Sequence, residues 1–161
     1  LLKPLRDYVV KQAQATPRFI KLLAENSLHW KVPFNWFGSL ETKELDGKKI
    51  IDIKMQGTAI VVDAARIYSL AHGIAAVNTR ERLAAVGRAL NVSEAESMGW
   101  IASFEYLQTL RLAAQIDGHA IGGNPNAVDV EQLNSVDKTI LRESLSKVRN
   151  LQQQLELDYV R

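Results

Sequence analysis

Residues 93–118, SEAESMGWIASFEYLQTLRLAAQIDG, decide the fold class that this sequence predicts. Ser93, followed three residues later by Glu96, forms a capping box, which marks the first turn of an α-helix. Small or apolar residues then recur every three or four positions up to Gly118, as they do on the buried face of a helix; they are Ser103, Leu107, Leu110 and Ala114. The segment therefore predicts one long amphipathic helix.

A second long helix is predicted at 135–159, where a stripe of apolar side chains has the same spacing. The stripe consists of Leu141, Leu145, Val148, Leu151, Leu155 and Tyr159. Shorter helices are predicted at 5–15, at 17–28 with Thr16 as N-cap and Pro17 as first residue, at 58–72 before a stop at Gly73, and at 79–90. The sequence thus predicts an all-α helical bundle of about five to six helices, in a single domain covering residues 1–161.

Three segments between the helices lack helical periodicity. Residues 30–47 contain Pro33, two glycines and the aromatics Phe34, Trp36 and Phe37. Because flexible linkers are poor in aromatic residues, we expect a loop that is pinned by burial of these rings. In residues 49–55 apolar and polar side chains alternate only in part, which predicts a short extended piece. Residues 118–129, which contain GGNPN, predict a loop.

Composition bounds the class of protein. With 161 residues, of which 47% are hydrophobic, the chain can bury a core of its own. The absence of cysteine excludes disulfides and thiolate metal sites, and no apolar run approaches the roughly 20 residues of a membrane span. Twenty basic and eighteen acidic residues give a net charge of +2, too small for a non-specific polyanion binder. We expect a cytoplasmic protein without membrane or nucleic-acid partners and, since the chain does not begin with methionine, a piece of a longer multidomain protein.

Six polar residues next to the predicted apolar stripes or at the starts of elements are candidates for ligand binding. We call them the polar seam: Lys54, Arg66, Arg82, Gln108, Arg111 and Gln115. Cationic groups at the rim of a bundle can hold a phosphate or carboxylate bidentately. The alternative is that these cations pair with Asp52, Asp63 and Glu105 as structural ion pairs, and spacing alone favours this alternative.

Two patterns imitate known functional motifs. Gly38-Ser39 followed by Asp52-Ile53-Lys54 resembles the metal-binding pattern of nucleotidyltransferases, but a lysine replaces the second acid and would repel Mg²⁺. We therefore predict no catalytic centre within this chain. Residues 83–96 resemble a helix-turn-helix, yet the predicted recognition helix begins with Glu94 and Glu96, which an anionic duplex would repel. DNA binding is thus the least favoured alternative.

The sequence contains no pattern typical of a metal-binding site or of nucleophilic catalysis. The histidines, His29, His72 and His119, are not spaced i, i+4, and no thiol can complete a zinc site. No serine lies in a Gly-x-Ser-x-Gly turn. We expect single solvated or capping histidines, no metal and no cofactor in this chain.

Several motifs together resemble the C-terminal domain of the DUF294 family. They are Asp52-Ile-Lys54, residues 63–74 (DAARIYSLAHGI), residues 78–83 (NTRERL), residues 104–115 (FEYLQTLRLAAQ), Asn124-Pro-Asn126, Leu133, residues 141–143 (LRE) and residues 151–152 (LQ). The resemblance extends from about Val32 to the predicted last helix. It is the combination, rather than any one motif, that is specific.

The resemblance implies a helical substrate-binding domain that follows a nucleotidyltransferase domain related to the protein-PII uridylyltransferases. In bacterial signalling proteins, cyclic-nucleotide-binding and CBS modules often precede that pair. Catalysis, Mg²⁺ and a nucleoside triphosphate would then belong to residues preceding Leu1, and the partners would be the nucleotidyltransferase domain and a nucleotide or acceptor protein. Lys54, Arg66, Arg82, Arg111 and Gln115 match the family's motifs, and their role as phosphate contacts is inferred from charge and position.

A structural or interaction module is the alternative function. In that interpretation the chain forms a homodimer through the aromatic loop from Phe34 to Phe37, and the polar seam binds no ligand.

Overall fold

The computed structural model describes residues 2–118 and 120–161, and six α-helices lie within them. The prediction of an all-α bundle is confirmed. In chain order the elements are α1 (Leu2–Gln14), α2 (Pro17–Ser27), β1 (Lys43–Leu45), β2 (Lys48–Asp52), a π-helical turn (Lys54–Thr58), α3 (Ala59–Ala71), α4 (Thr79–Ala89), α5 (Glu94–Ile116), β3 (Ala127–Asp129), a 3₁₀ turn (Val130–Gln132) and α6 (Ser135–Tyr159).

The two long helices, both predicted from the sequence, form the spine of the bundle. α5 packs along α6, α3 packs against α4 and α6, and α1 and α2 cover α3. Of the predicted α6 stripe, all members except the half-buried Tyr159 are buried, and they meet Tyr68, Leu83, Trp100 and Leu107 in one apolar core. None of the helices in the described residues combines the length and the apolar character needed to cross a bilayer.

Helix ends follow the predicted signals with one exception. Ser93 Oγ accepts a hydrogen bond from the backbone N–H of Glu96 at 3.1 Å, and Gly73 ends α3 with a φ of +67°. Pro17 begins α2 and Thr16 occupies its N-cap position, as predicted, but the Thr16 side chain makes no capping hydrogen bond. The Thr16 hydroxyl instead donates to the carbonyl of Gln12 at 2.9 Å, because the last turn of α1 leaves carbonyls without helical partners.

A small antiparallel sheet in the order β1-β2-β3 lies beside the helices. Asp46 and Gly47, both with positive φ, form the tight turn of the β1–β2 hairpin. Ile51 pairs with Val128 and both side chains are buried in the core, whereas Ile50 and Asp52 lie on the opposite face. β2 confirms the predicted extended piece only to Asp52, because the chain then turns into the π-helical turn that leads into α3.

The aromatic loop between α2 and β1 differs from the prediction. Trp36 is 96% exposed and Phe37 is 90% exposed, so the expected burial of these two rings is wrong. Phe34 alone of the three packs against the core, with the guanidinium carbon of Arg149 4.4 Å from its ring centre. The loop keeps its shape through hydrogen bonds instead, since Ser39 N–H donates to Asn35 Oδ1 at 2.9 Å. Exposed rings are what the dimer alternative requires, and that alternative stays a prediction.

Two core tyrosines predict a loss of stability at high pH. The Tyr68 hydroxyl donates to Asp158 Oδ2 at 2.7 Å, and burial followed by this bond raises its pKa above the usual range. Burial likewise raises the pKa of Tyr159 to about 12. In the unfolded chain both groups ionise near pH 10, so their contribution to stability is complete below about pH 10 and falls as pH rises towards 12.

Chemical unfolding followed by circular dichroism at about pH 9, 11 and 12 measures this decline. In the Tyr159→Phe variant the decline between about pH 10 and 12 is expected to be shallower, because one of the two ionisations is gone. An identical decline in both proteins would contradict the assignment to Tyr159.

Candidate functional site

The structure divides the polar seam between four elements. Lys54 lies in the π-helical turn, Arg66 in α3 and Arg82 in α4, while Gln108, Arg111 and Gln115 share one face of α5. Lys54 and Arg66 are twelve residues apart on continuous helical backbone, or roughly 18 Å along its axis. The seam is therefore too long to converge on one small anion.

The seam residues Arg111 and Gln115 form an amide cluster with three residues outside the seam, Asp52, Asn124 and Asn126. Asn126 Oδ1 accepts from Arg111 Nε at 2.8 Å and from Gln115 Nε2 at 3.0 Å. Asn124 Oδ1 accepts from the backbone N–H of Asn126 at 2.9 Å, and Asn124 Nδ2 donates to Asp52 Oδ2 at 2.7 Å. One continuous chain of hydrogen bonds thus runs from α5 through the Asn-Pro-Asn loop to the end of β2.

The amide cluster also fixes the π-helical turn. Asp52 Oδ1 accepts from the backbone N–H of Met55 at 2.8 Å, and the backbone N–H of Asp52 donates to Gln56 Oε1 at 3.0 Å. The carbonyl of Asn126 accepts from Ile53 N–H at 3.0 Å. Lys54 is exposed within this turn, and among the described residues neither the Lys54 side chain nor the Gln108 side chain has a hydrogen-bond or ion-pair partner.

The second group is a guanidinium pair, Arg66 and Arg82, where α3 packs against α4. Arg66 lies 3.6 Å from Asp63 Oδ1, one turn earlier on the same helix. Arg82 Nε donates to the carbonyl of Ala76 at 3.0 Å. Burial, and then the like charge of Arg66, lower the pKa of Arg82, whereas burial raises the pKa of Asp63 against the opposing effect of Arg66. Of the two cations, only Arg66 has a carboxylate partner among the described residues.

The ion-pair alternative holds for one of its three acids. Asp63 does pair with Arg66. Glu105 pairs with Arg80, which is outside the seam, and Asp52 bonds an amide and a backbone N–H rather than a cation. The prediction failed for these two because α4 and the Asn-Pro-Asn loop present closer partners than sequence spacing suggested.

Both Arg82 and Arg111 are held in the same way. Each uses its Nε atom to donate to one oxygen of the protein. The two terminal nitrogens of each guanidinium have no hydrogen-bond or ion-pair partner within residues 2–118 and 120–161. An arginine anchored through Nε keeps its terminal N–H groups available, and these can donate to two oxygens of a phosphate or carboxylate.

Sequence reasoning placed Arg111 and Gln115 correctly on one helix face but did not include Asn124 and Asn126 among the site residues. The signal available for these two residues is the Asn-Pro-Asn sequence, which by itself predicts a loop and contributes to the family resemblance. Side-chain amides that flank a proline in a loop are suited to bridging backbone segments, because they donate and accept at once.

The remaining candidate motifs lie apart from the seam. His29 Nδ1 is 2.8 Å from the carbonyl of Asn26, His72 is exposed at the end of α3, and His119 lies outside the described residues. Among the residues that the structure describes, no three His, Asp or Glu side chains group closely enough to hold a metal ion. Glu94 and Glu96 are exposed in the first turn of α5, where a recognition helix would have to meet an anionic duplex.

The fold is that of an all-α domain with a cation-bearing seam. A family model described as "Putative nucleotidyltransferase substrate binding domain", the C-terminal domain of DUF294, matches residues 17–159. The chain belongs to this family, as the resemblance of its motifs indicated. Neither the curated proteins nor the solved structures with which the chain was compared gave a match.

Proposed function

We propose that this domain binds the phosphate-bearing substrate of a nucleotidyltransferase-like protein related to the protein-PII uridylyltransferases, and that it is not itself catalytic. The nucleotidyltransferase domain, with its Mg²⁺ and nucleoside triphosphate, is its partner in the same protein. The family description supports the association with a nucleotidyltransferase. The observation that carries the proposal is the pair of anchored arginines, Arg82 and Arg111, whose terminal nitrogens have no partner among the described residues.

Charge in the guanidinium pair favours an anion. Burial, and then the like charge of Arg66, lower the pKa of Arg82, so the two guanidinium groups lie close enough to repel each other. A bound phosphate would offset that repulsion and accept from the planar guanidinium groups, which match its geometry better than an ammonium group does. The site gains an interaction on binding that the free protein lacks.

The amide cluster supplies a second contact region. Asn126 holds Arg111 and Gln115 side by side, so their remaining donors are oriented before a ligand arrives. Preorganised side chains lose less rotamer entropy on binding. Exposed Lys54 adds an unpaired positive charge beside the cluster. Because Lys54 and Arg66 lie roughly 18 Å apart along the helical axis, we propose an elongated ligand such as a nucleotide or a modified segment of an acceptor protein.

Titration of the chain with tripolyphosphate, ATP, UTP and cyclic AMP, with and without Mg²⁺, tests this proposal through backbone amide NMR shifts. Saturable shifts centred on Lys54, Arg66, Arg82 and Arg111 are expected. Since a hydrogen bond to a charged group contributes about 1.5 kcal/mol or more, Arg82→Gln or Arg111→Gln should each weaken binding about tenfold.

Arg88→Gln is the matched control, because Arg88 is an exposed arginine on α4 outside the seam. Its affinity for tripolyphosphate should equal that of the unaltered chain. Absence of saturable shifts with every probe, or equal weakening by Arg88→Gln, would refute phosphate binding by the seam.

A further inference from the structure

An open groove of about 650 Å³ lies on the outer face of the sheet, next to the amide cluster but on no residue of the seam. Its walls and floor are formed by the segment between α2 and β1, the β1–β2 hairpin, the π-helical turn and the Gly122–Asn124 loop. The residues that form its floor, its walls and its polar end include Trp30, Leu45, Ile50, Asp52, Gln56 and Gly122. The volume falls within the range of sites for small molecules, roughly 300–1,000 Å³.

Strand register builds the floor of this groove. Lys43 pairs with Ile50 in the β1–β2 ladder, and alternate residues of a strand share a face. Lys43, Leu45, Ile50 and Asp52 therefore lie on the outer face, while Ile51 between them is fully buried in the core. The floor is apolar at Leu45 and Ile50 and ends in a carboxylate.

A glycine lets the loop close over the hairpin. Gly122 has a φ of +58°, and a Cβ at this position would lie 2.2 Å from Leu45 Cδ2. Its backbone N–H donates to Asp46 Oδ2 in the hairpin turn at 3.1 Å. The groove thus has a fixed wall on this side, and any larger residue at position 122 would push that wall away from the floor.

An aromatic side chain forms another wall. Trp30 is 50% exposed, and its carbonyl accepts from Nε2 of the buried Gln152 at 2.7 Å. This bond fixes the Trp30 backbone to α6 without burying the indole. A large, half-exposed ring at the edge of a concave surface is available for stacking.

The polar end of the groove has one hydrogen-bond donor group and two acceptor oxygens with capacity that the protein itself does not use. Gln56 Oε1 accepts from the Asp52 backbone, whereas Gln56 Nε2 has no hydrogen-bond partner among the described residues. Each Asp52 carboxylate oxygen accepts one hydrogen bond within the protein and can accept another. A donor and an acceptor thus lie beside an aromatic wall, which suits a flat ring with a mixed polar edge.

We propose that this Trp30 groove binds a nucleobase, whose ring stacks on the Trp30 indole and whose polar edge bonds Gln56 and Asp52. That the ring belongs to a nucleotide rests on the proposed function. Glu41 and Lys43 line the same groove with opposite charges, so charge alone does not select the ligand. Because Asp52 and Asn124 belong to both the groove and the amide cluster, a nucleotide held here can direct its phosphates towards the seam.

Nucleosides without phosphate test the groove separately from the seam. Calorimetric or NMR titration with adenosine, guanosine, uridine and cytidine is expected to show saturable binding of at least one of them. Since stacking on an aromatic side chain contributes about 1–3 kcal/mol per base, Trp30→Leu should weaken binding about tenfold or more. Gln56→Leu, which keeps the indole, should weaken it to a smaller degree.

Trp36→Leu is the control, because Trp36 is an exposed tryptophan outside the groove and its loss should leave nucleoside affinity unchanged. Circular dichroism checks that each variant keeps its helix content. Absence of saturable nucleoside binding, or equal affinities of Trp30→Leu and Trp36→Leu, would overturn the assignment. Tripolyphosphate binding without nucleoside binding would refute the groove but retain the proposed function, and the reverse result would refute only phosphate binding by the seam.

Discussion

Leu107→Ala is expected to destabilise the domain by about 2–5 kcal/mol, the range for truncating a buried leucine. Leu107 is fully buried in the middle of α5. Its side chain covers Gly57 of the π-helical turn, where a Cβ would lie 3.4 Å from Leu107 Cδ1 and 3.7 Å from Leu145 Cδ2. Alanine would leave a cavity between three elements, and neither helix can close it without moving the turn.

Urea unfolding followed by circular dichroism measures this loss. Leu112→Ala is the matched control on the same helix, since Leu112 is 55% exposed and the substitution should change the free energy of unfolding by less than about 0.5 kcal/mol. Similar losses for the two variants would contradict the placement of Leu107 at the centre of the core.

Asn126→Leu is expected to have the second largest effect, about 1–3 kcal/mol, because it removes the acceptor shared by two side chains. Arg111 Nε and Gln115 Nε2 both donate to Asn126 Oδ1. Leucine has a similar size but no hydrogen-bond acceptor in its side chain. The backbone of residue 126 still pairs with Ile53, so the sheet itself should persist. Arg111 would become free to rotate, and tripolyphosphate affinity should therefore fall together with stability.

Asn150→Leu provides the comparison, because Asn150 is an exposed asparagine of α6. Chemical unfolding and tripolyphosphate titration are made on both variants. If Asn126→Leu lowered stability but left phosphate affinity intact, Asn126 would hold the loop without positioning Arg111 for a ligand.

The sequence predicted the helices well because their signals are local. Capping at Ser93 and the α6 stripe depend on residues within a few positions of one another. β1 and β3 escaped prediction because each has only three residues, and β3 is in addition stabilised by pairing with β2, far away in the chain. The exposure of Trp36 was missed for a related reason, since hydrogen bonds across the loop replace the ring burial that composition suggested.

The candidate site could be predicted only in part. Periodicity places Arg111 and Gln115 on one face of α5. Their common partner Asn126 lies in a loop, and the local sequence does not predict the position of that loop relative to α5. The proximity of Arg66 to Arg82 depends likewise on how α3 packs against α4. Residue types and helix faces were therefore predictable, whereas pairings between elements required the tertiary structure.

The unequal burial of the three tryptophans gives the domain three distinguishable optical probes. Trp100 is 6% exposed within the core, Trp30 is 50% exposed in its groove and Trp36 is 96% exposed at the tip of the aromatic loop. An indole surrounded by apolar side chains emits at shorter wavelength than one surrounded by water. Variants that keep a single tryptophan would thus report separately on the core, on the groove and on the binding of any partner to the loop. The signals would be the wavelength of fluorescence emission and its quenching by iodide.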